Sequence, residues 1–275
     1  MPVDESKRND PAWNDHRTFF LPPAAWRPPY ELDAGETRHL TRVLRLGPGE
    51  EIRVLDGEGR EGIFVVEACD RHRTRLRLVE EWRHPRPHSR VILAAGWTKA
   101  ARRGWFLEKA VEFEAEGVWL WQAERSQFPT PEDIRTSWRD QLVAGAKQCR
   151  NPWLPELRIF SGGVEELLAG VAALEAERGA IRKVVLLEEG LGAPLPLTPD
   201  RLAEPGTTLC VVGPEGGFTP READRLQAGG FEPVTLGKRV LRWETAAMLC
   251  LGLYWWRREL ADSKTPAAGP AFPRR

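Results

Sequence analysis

Residues 207–256 read TTLCVVGPEGGFTPREADRLQAGGFEPVTLGKRVLRWETAAMLCLGLYWW. The run from Thr208 to Val212 is short, apolar and bounded by Gly213 and Pro214, which is the signature of a buried strand. Gly213-Pro214-Glu215-Gly216-Gly217 is a turn in which the backbone can take conformations that a side chain would forbid. Thr219-Pro220-Arg221-Glu222 predicts a helix start, with Thr as the cap, Pro at the first helical position and Glu completing a capping box. Gly229-Gly230 ends that helix. A second strand, Phe231 to Leu236, runs into a second tight turn at Gly237, and a final helix begins near Arg242. Its apolar residues, among them Ala246, Met248, Leu249, Leu251, Leu253 and Trp255, fall on most of its faces, so burial on more than one side is expected.

Two strands therefore end in glycine turns that lead toward helices. In an open α/β sheet the crevice beyond the carboxyl ends of the strands is where ligands bind. Main-chain N–H and C=O groups bared by glycine can read a small molecule there. Geometry alone leaves open the plainer possibility that Gly213, Gly216 and Gly217 only make a sharp bend.

Upstream, residues 1–16 are polar and Pro-containing, and read as a disordered leader. Arg17 to Leu21 reads as a strand, and Glu36 to Leu46 as a short helix with Leu40, Val43 and Leu44 on one face. Its other face carries Arg38, His39, Arg42 and Arg45, which on charge alone is an ordinary solvated face. Glu51–Asp56, Gly62–Ala68 and Thr74–Val79 read as strands, and short strands so closely spaced predict a small barrel. Arg73, Arg75 and Arg77 alternate with Thr74, Leu76 and Leu78, so three guanidiniums share one sheet face. Gly57-Glu-Gly-Arg-Glu-Gly62 matches G-x-G-x-x-G. It joins strand to strand and carries two acids, so it is not a dinucleotide site.

The character changes at the linker His84-Pro85-Arg86-Pro87-His88. From Val91 onward strands (Val91–Ala95, Gly117–Trp121, Lys183–Leu187) alternate with helices (around Phe106–Phe113, Ile134–Gln148, Val164–Glu175). That alternation predicts a mostly parallel sheet with helices on both faces. The domains expected are 17–84 and 90–260, with a disordered tail over 261–275.

The 275 residues carry 40 basic and 40 acidic side chains, a net charge of +0 that does not favour a nucleic-acid binder, so any such affinity must come from local clusters. The absence of a spanning apolar run and of a signal-peptide stretch points to a cytoplasmic protein with no membrane partner. Cys69, Cys149, Cys210 and Cys250 lie far apart, so neither a disulfide framework nor a metal site is expected. All five histidines lie between His16 and His88, which excludes a His-based dyad in the α/β region. No G-x-x-x-x-G-K-[ST] occurs, which excludes a P-loop.

V-x-G-P-E-G-G-F-T-x-x-E followed by L-G-x-x-x-L-R-x-E-T-A resembles the ribosomal RNA small-subunit methyltransferase E family, a branch of the knotted methyltransferases that use S-adenosylmethionine. The two motifs occur in order, about twenty residues apart, and the likeness extends more loosely from Arg17 to Arg257. It implies a PUA-like N-terminal RNA-binding barrel, a C-terminal segment threaded into a trefoil knot, and a homodimer. It further implies methylation of ring nitrogen 3 of a uridine in 16S ribosomal RNA of the small subunit. The cofactor would lie among three loops comprising Leu187 and Glu188; Gly213, Pro214, Glu215, Gly216 and Gly217; and Leu236, Gly237, Val240, Leu241, Arg242, Thr245 and Ala246. RNA contacts are implied for His39, Arg42 and Arg45 in an H-L-x-x-V-L-R-L-like segment, and for Lys99, Arg102, Arg103, Lys109, Arg125, Gln148 and Arg150. The chain departs from the family at Phe113–Gly117, which is longer than the usual Leu-Gly, at Gln148-Cys149-Arg150, which lacks a glycine, and at Trp243, where a small polar residue is usual.

Arg242 is the candidate catalytic cation, aimed at the negative charge that the uridine ring acquires on losing its proton. Glu215 and Glu244 could each be a base or a cap near a helix N-terminus, and capping is the reading adopted for both. Two other functions fit the same residues: a knotted methyltransferase acting on tRNA, and a non-catalytic RNA-binding ribosome assembly factor. Intact glycines at 213, 216, 217 and 237 argue against the latter.

Overall fold

The computed structural model describes residues 16–98, 100–188, 191 and 194–262; the side chains of residues 100–102 and 262 are not described. The expected leader falls almost wholly, and the expected tail largely, outside those residues. In chain order the elements are β1 (Thr18–Phe20), β2 (Tyr30–Leu32), α1 (Ala34–Arg38), β3 (Glu51–Leu55), β4 (Arg60–Cys69), β5 (Thr74–Arg83), β6 (Ser89–Gly96), α2 (Ala100–Glu112), β7 (Gly117–Trp121) and α3 (Thr136–Cys149). There follow β8 (Glu156–Phe160), α4 (Gly163–Arg178), β9 (Arg182–Leu186), β10 (Leu195–Pro196), α5 (Pro199–Ala203), β11 (Gly206–Val212), α6 (Pro220–Ala228), β12 (Glu232–Thr235) and α7 (Trp243–Asp262). Two compact units divide the chain: Met1–Pro87 with Leu107–Glu114 and Arg135–Pro155, and His88–Phe106 with Ala115–Ile134 and Glu156–Arg275.

In the first unit five strands pair in the order β1-β3-β4-β5-β2, with β1 parallel to β3 and the other pairs antiparallel. Alternation sends Phe19, Leu32, Ile52, Val54, Phe64, Val66 and Leu76 into one core. Register shifts at Ile63/Phe64 and Val66/Ala68 bend β4 and curl the sheet. Arg73, Arg75 and Arg77 stand exposed on the opposite face, as the alternation predicts. Arg73 pairs with Glu31 at 3.0 Å and Arg77 with Glu67 at 3.6 Å.

The helix expected over Glu36–Leu46 is shorter and changes pitch. Asp33 caps α1 by accepting from the Glu36 N–H at 2.8 Å, and the chain then widens into a π-helical turn, His39–Val43, closed by Leu44 N–H to His39 O at 3.0 Å. The wider turn rotates Val43 off the apolar face assigned to it and leaves it 64% exposed, while Leu40 stays buried.

The glycines of the G-x-G-x-x-G stretch have a packing role. A Cβ on Gly59 (φ +89°) would stand 2.2 Å from the Trp153 ring, and one on Gly57 (φ +81°) 2.8 Å from Leu154. Both partners follow α3. Lys147 of α3 reaches Glu36 at 2.7 Å, and Asn151 Nδ2 donates to Val111 O at 3.0 Å. These contacts bring α3 and the end of α2 into the first unit.

In the second unit seven strands pair in the order β10-β12-β9-β11-β6-β7-β8, every pair parallel. Leu209 and Val211 of β11 enter a core with Ile92, Trp119, Trp121, Phe160, Leu167, Phe218 and Leu226. Cys210, between them, turns to the other face, where its Sγ lies 3.8 Å from that of Cys250 on α7. Both faces of the sheet are thus covered by helices, as parallel sheets require. Since every strand runs the same way, the loops after β6, β7, β9, β11 and β12 gather along one edge. The sequence reading missed β2, β8, β10 and α5; these are short, and Glu156–Phe160 alternates too few apolar residues to stand out.

Candidate active site

A cavity of about 560 Å³ opens at that edge, lined by the segments following β9, β11 and β12 and by the start of α7. Leu187, Leu191, Val212, Phe218, Leu236, Leu241 and Ala246 supply apolar walls, and Glu188, Glu215, Lys238, Arg239 and Arg242 supply charge. The volume falls within the range usual for small-molecule sites.

The middle wall is the glycine turn. Gly217 takes φ +69°, and its N–H closes the turn on Pro214 O at 2.9 Å. A Cβ on the neighbouring strand's Gly96 would come within 2.5 Å of Pro214 N, so the loops after β6 and β11 touch backbone to backbone. α6 begins with the capping box read from the sequence: Thr219 Oγ1 accepts from Glu222 N–H, and Glu222 accepts from Thr219 N–H at 2.8 Å. Glu215, read as a cap, takes no part in it. Its carboxylate accepts a hydrogen bond from the hydroxyl of Thr98, a buried residue just after β6.

The third wall turns at Gly237 (φ +116°) and runs through Lys238, Arg239 and Val240, all exposed, into α7. Trp243 is buried at the first position of α7 and packs edge-on against Phe106, ring centroids 5.3 Å apart. The large residue at this position therefore anchors the helix start inward, while the adjacent Arg242 remains exposed at the cavity rim. Among the described residues no ion pair joins Arg242 to Glu215 or Glu244. Glu244 lies in the first turn of α7, where the helix dipole favours an anion.

Of the residues expected around the cofactor, Leu187, Glu188, Gly213, Pro214, Glu215, Gly217, Leu236, Gly237, Val240, Leu241, Arg242 and Ala246 line the cavity. Gly216 and Thr245 do not. Gly216 backs onto Arg125, where a Cβ would meet the Arg125 Cβ at 2.8 Å. Leu186, Leu191, Val212, Phe218, Thr235, Lys238, Arg239 and Trp243 also line it without having been singled out. All but Leu191 adjoin or interrupt the motif residues, which was the only signal for them.

The residues expected to meet RNA divide between the units. In the first, Arg42 and Arg45 are exposed, and His39 packs edge-on against Phe19 at 5.9 Å. Lys109 bonds Glu112 at 2.6 Å, and Gln148 is exposed. Arg150 ends α3 with φ 60°, a conformation that favours glycine. In the second unit, Arg103 is buried, with its guanidinium 4.4 Å from the centre of the Trp97 ring and donating to Thr98 O at 3.3 Å. Arg125 bonds the glycine turn. Lys99 lies outside the described residues, as does the side chain of Arg102. Among the described residues no cluster of metal-binding side chains occurs, and no helix is long and apolar enough to cross a membrane.

Residues 84–255 match the RNA methyltransferase domain family and residues 32–79 the RNA methyltransferase PUA domain family. Ribosomal RNA small subunit methyltransferase E of Mycobacterium bovis is 30% identical over 233 residues, covering 80% of this chain and 84% of that protein. The protein of the same name from Bacillus subtilis is 25% identical over 239 residues, covering 85% and 92%. Among solved structures, a probable rRNA-methyltransferase from Porphyromonas gingivalis shares the fold with a TM-score of 0.73 at 24% identity, covering 90% of this chain and 100% of that one. Ribosomal RNA small subunit methyltransferase E from Neisseria gonorrhoeae, bound to S-adenosyl methionine, does so with 0.70 at 23%, covering 86% and 95%. By class the chain is an RNA methyltransferase with a PUA-like N-terminal domain. It belongs to the ribosomal RNA small subunit methyltransferase E family.

Proposed function

We propose that the chain methylates ring nitrogen 3 of a uridine in 16S ribosomal RNA, with S-adenosylmethionine as cofactor, in the cytoplasm. The observation that carries this reading is the edge cavity, in which glycine turns, apolar walls and a rim arginine meet. The names of the relatives supply the small-subunit RNA, and the bound S-adenosylmethionine in the Neisseria relative supplies the cofactor. The cavity fits it. Val212, Phe218 and Leu241 offer surface for a purine, Glu188 and Glu215 offer negative charge to a sulfonium, and glycines at 213, 217 and 237 bare main-chain groups at the wall. When bound, the cofactor supplies an electrophilic methyl group.

The chain's own residues position and polarise. The uridine N3–H must lose its proton, which leaves negative charge on the ring and its two carbonyl oxygens. Arg242, exposed at the rim and held there by the buried Trp243, is the cation for that charge. Lys238 and Arg239 add positive charge beside it for RNA phosphate. Arg42 in the π-helical turn and Arg45 just after it serve the same end.

The proposal includes a homodimer. Leu249, Trp256 and Leu260 are 40%, 57% and 38% exposed along α7, and a Cβ on Gly252 would meet no atom within 4 Å. A helix with such a stripe is suited to a second copy. It also includes a threaded C-terminus: β12 lies beyond β9 in the sheet, while α7, which follows it, packs on β6 and β11.

The test is methyl transfer by the purified protein to small subunits, naked 16S rRNA and bulk tRNA, with the product nucleoside mapped by mass spectrometry. Methyl on a uridine N3 of 16S rRNA is the expected result. Methyl on tRNA, or none with cofactor bound, replaces this reading by the tRNA enzyme or the assembly factor.

A further inference from the structure

The loop after β7 does not line the cavity, yet it holds the glycine turn that does. Arg125 Nη1 donates to Gly216 O and to Phe218 O, each at 3.2 Å. The stem of Arg125 lies on Gly216 so closely that a Cβ there would fall 2.8 Å from its own Cβ. From the other direction Glu222, 1% exposed, accepts from Glu124 N–H at 2.8 Å with one carboxylate oxygen and from Thr219 N–H at 2.8 Å with the other. Beneath them the Trp121 ring stacks on Phe218, centroids 5.9 Å apart and planes 21° apart. Ser126 closes the loop on itself, its hydroxyl accepting from Ala123 N–H at 3.1 Å.

We infer that Arg125 is a positioning residue for the cofactor turn rather than an RNA ligand. The inference rests on the cavity's being the S-adenosylmethionine site. A turn made of Gly216 and Gly217 has unusually wide backbone freedom, and glycine loses the most conformational entropy when ordered. The turn's own hydrogen bond, Gly217 N–H to Pro214 O, leaves the carbonyls of Gly216 and Phe218 to be oriented from outside. The guanidinium fixes both with one nitrogen. Fixing them before the ligand arrives removes an ordering cost from binding. Gly216 is then needed for a reason separate from main-chain exposure, because it leaves room for the arginine stem. This also accounts for Gly216 standing outside the cavity while adjoining it. An arginine that leaves the two carbonyls to grip a phosphate would release the turn.

The test compares the wild-type chain with Arg125→Ala, Arg125→Lys and Gly216→Ala in three measurements: calorimetric affinity for S-adenosylmethionine, filter-binding affinity for 16S rRNA, and hydrogen exchange over residues 213–219. Arg125→Ala is expected to weaken cofactor binding by roughly tenfold, with faster exchange in the turn and RNA affinity within about twofold of wild type. Arg125→Lys should recover part of the loss, since an ammonium keeps a charged donor but not the planar head that places it between the two carbonyls. Gly216→Ala should reproduce the loss with the arginine still present, which covers the case in which Arg125→Ala folds poorly. Cofactor affinity unchanged in all three variants, or RNA affinity falling while cofactor affinity holds, overturns the inference. The wild-type isotherm separates the failures: no binding by the wild type overturns the cofactor reading along with it, whereas equal binding by wild type and variants overturns this inference alone.

Discussion

Thr98 and Glu215 lie 117 residues apart, and the buried hydroxyl of one donates to the carboxylate of the other at the cavity wall. The bond ties the loop after β6 to the glycine turn after β11, the two loops whose strands are neighbours in the sheet. Thr98→Val keeps the shape and removes the donor. Glu215 is exposed and can turn to water, so stability should change by about 1 kcal/mol or less. Cofactor affinity should fall three- to tenfold, roughly one hydrogen bond's worth. Thermal unfolding and calorimetry check both, and unchanged affinity would show that Glu215 needs no fixing.

Arg242 should matter to rate and not to cofactor binding. Arg242→Ala is expected to slow single-turnover methyl transfer by roughly a hundredfold, with cofactor affinity little changed. Arg242→Lys should recover only part, because a point charge cannot span two oxygens. Loss of cofactor binding in Arg242→Ala would instead give the residue a structural role.

Gly59 should be intolerant of a methyl group. Its φ is +89° and an added Cβ would stand 2.2 Å from the Trp153 ring, so Gly59→Ala combines backbone strain with a clash. A loss of roughly 2–4 kcal/mol in denaturant unfolding is expected. A neutral effect would mean that the loop after α3 can move away without cost.

The thiols should be quiet in the folded state. Burial pushes the Cys149 pKa up from 9.0 to about 11, and the hydrogen bond with Cys250, together with burial, raises that of Cys210. Both remain protonated at pH 8, and the thiolate is the reactive form. Alkylation at pH 8 should therefore label Cys149 and Cys210 only after unfolding. The sign for stability follows from the raised folded values: the unfolded thiols ionise first, so stability is full below about pH 9 and declines as pH rises toward 11.

Trp256, 57% exposed on α7, should hold two copies together. Trp256→Asp is expected to convert a species of about twice 31.1 kDa in light scattering to the monomer. A wild-type monomer with full activity would remove the dimer from the proposal.

Local chemistry made much of this protein legible. The capping box at Thr219 and Glu222 and the turn before it are written within a few residues, because caps and turns use side-chain bonds of short reach. Strands buried on both faces, such as β7 and β11, announce themselves as apolar runs. Twelve of the fourteen cofactor-loop residues line one cavity for the same reason: the motifs mark strand ends, and a parallel sheet brings its strand ends to one edge.

Contacts between distant segments decided the rest. Arg103 and Arg125 look like RNA-facing cations in a linear reading, yet one is buried on Trp97 and the other grips the glycine turn. Neither the Trp97 ring nor the carbonyl of Gly216 can be assigned to an arginine from spacing. The same holds for α3, which joins the first unit through Lys147 and Glu36. Val43 left its apolar face because one π-helical turn shifted the phase by less than a residue's width. A charge or an apolar side chain fixes what a residue can do, and sequence states that much. Which partner it meets depends on the fold closing around it, since hydrogen bonds and ring contacts act over a few ångströms of space without regard to separation along the chain.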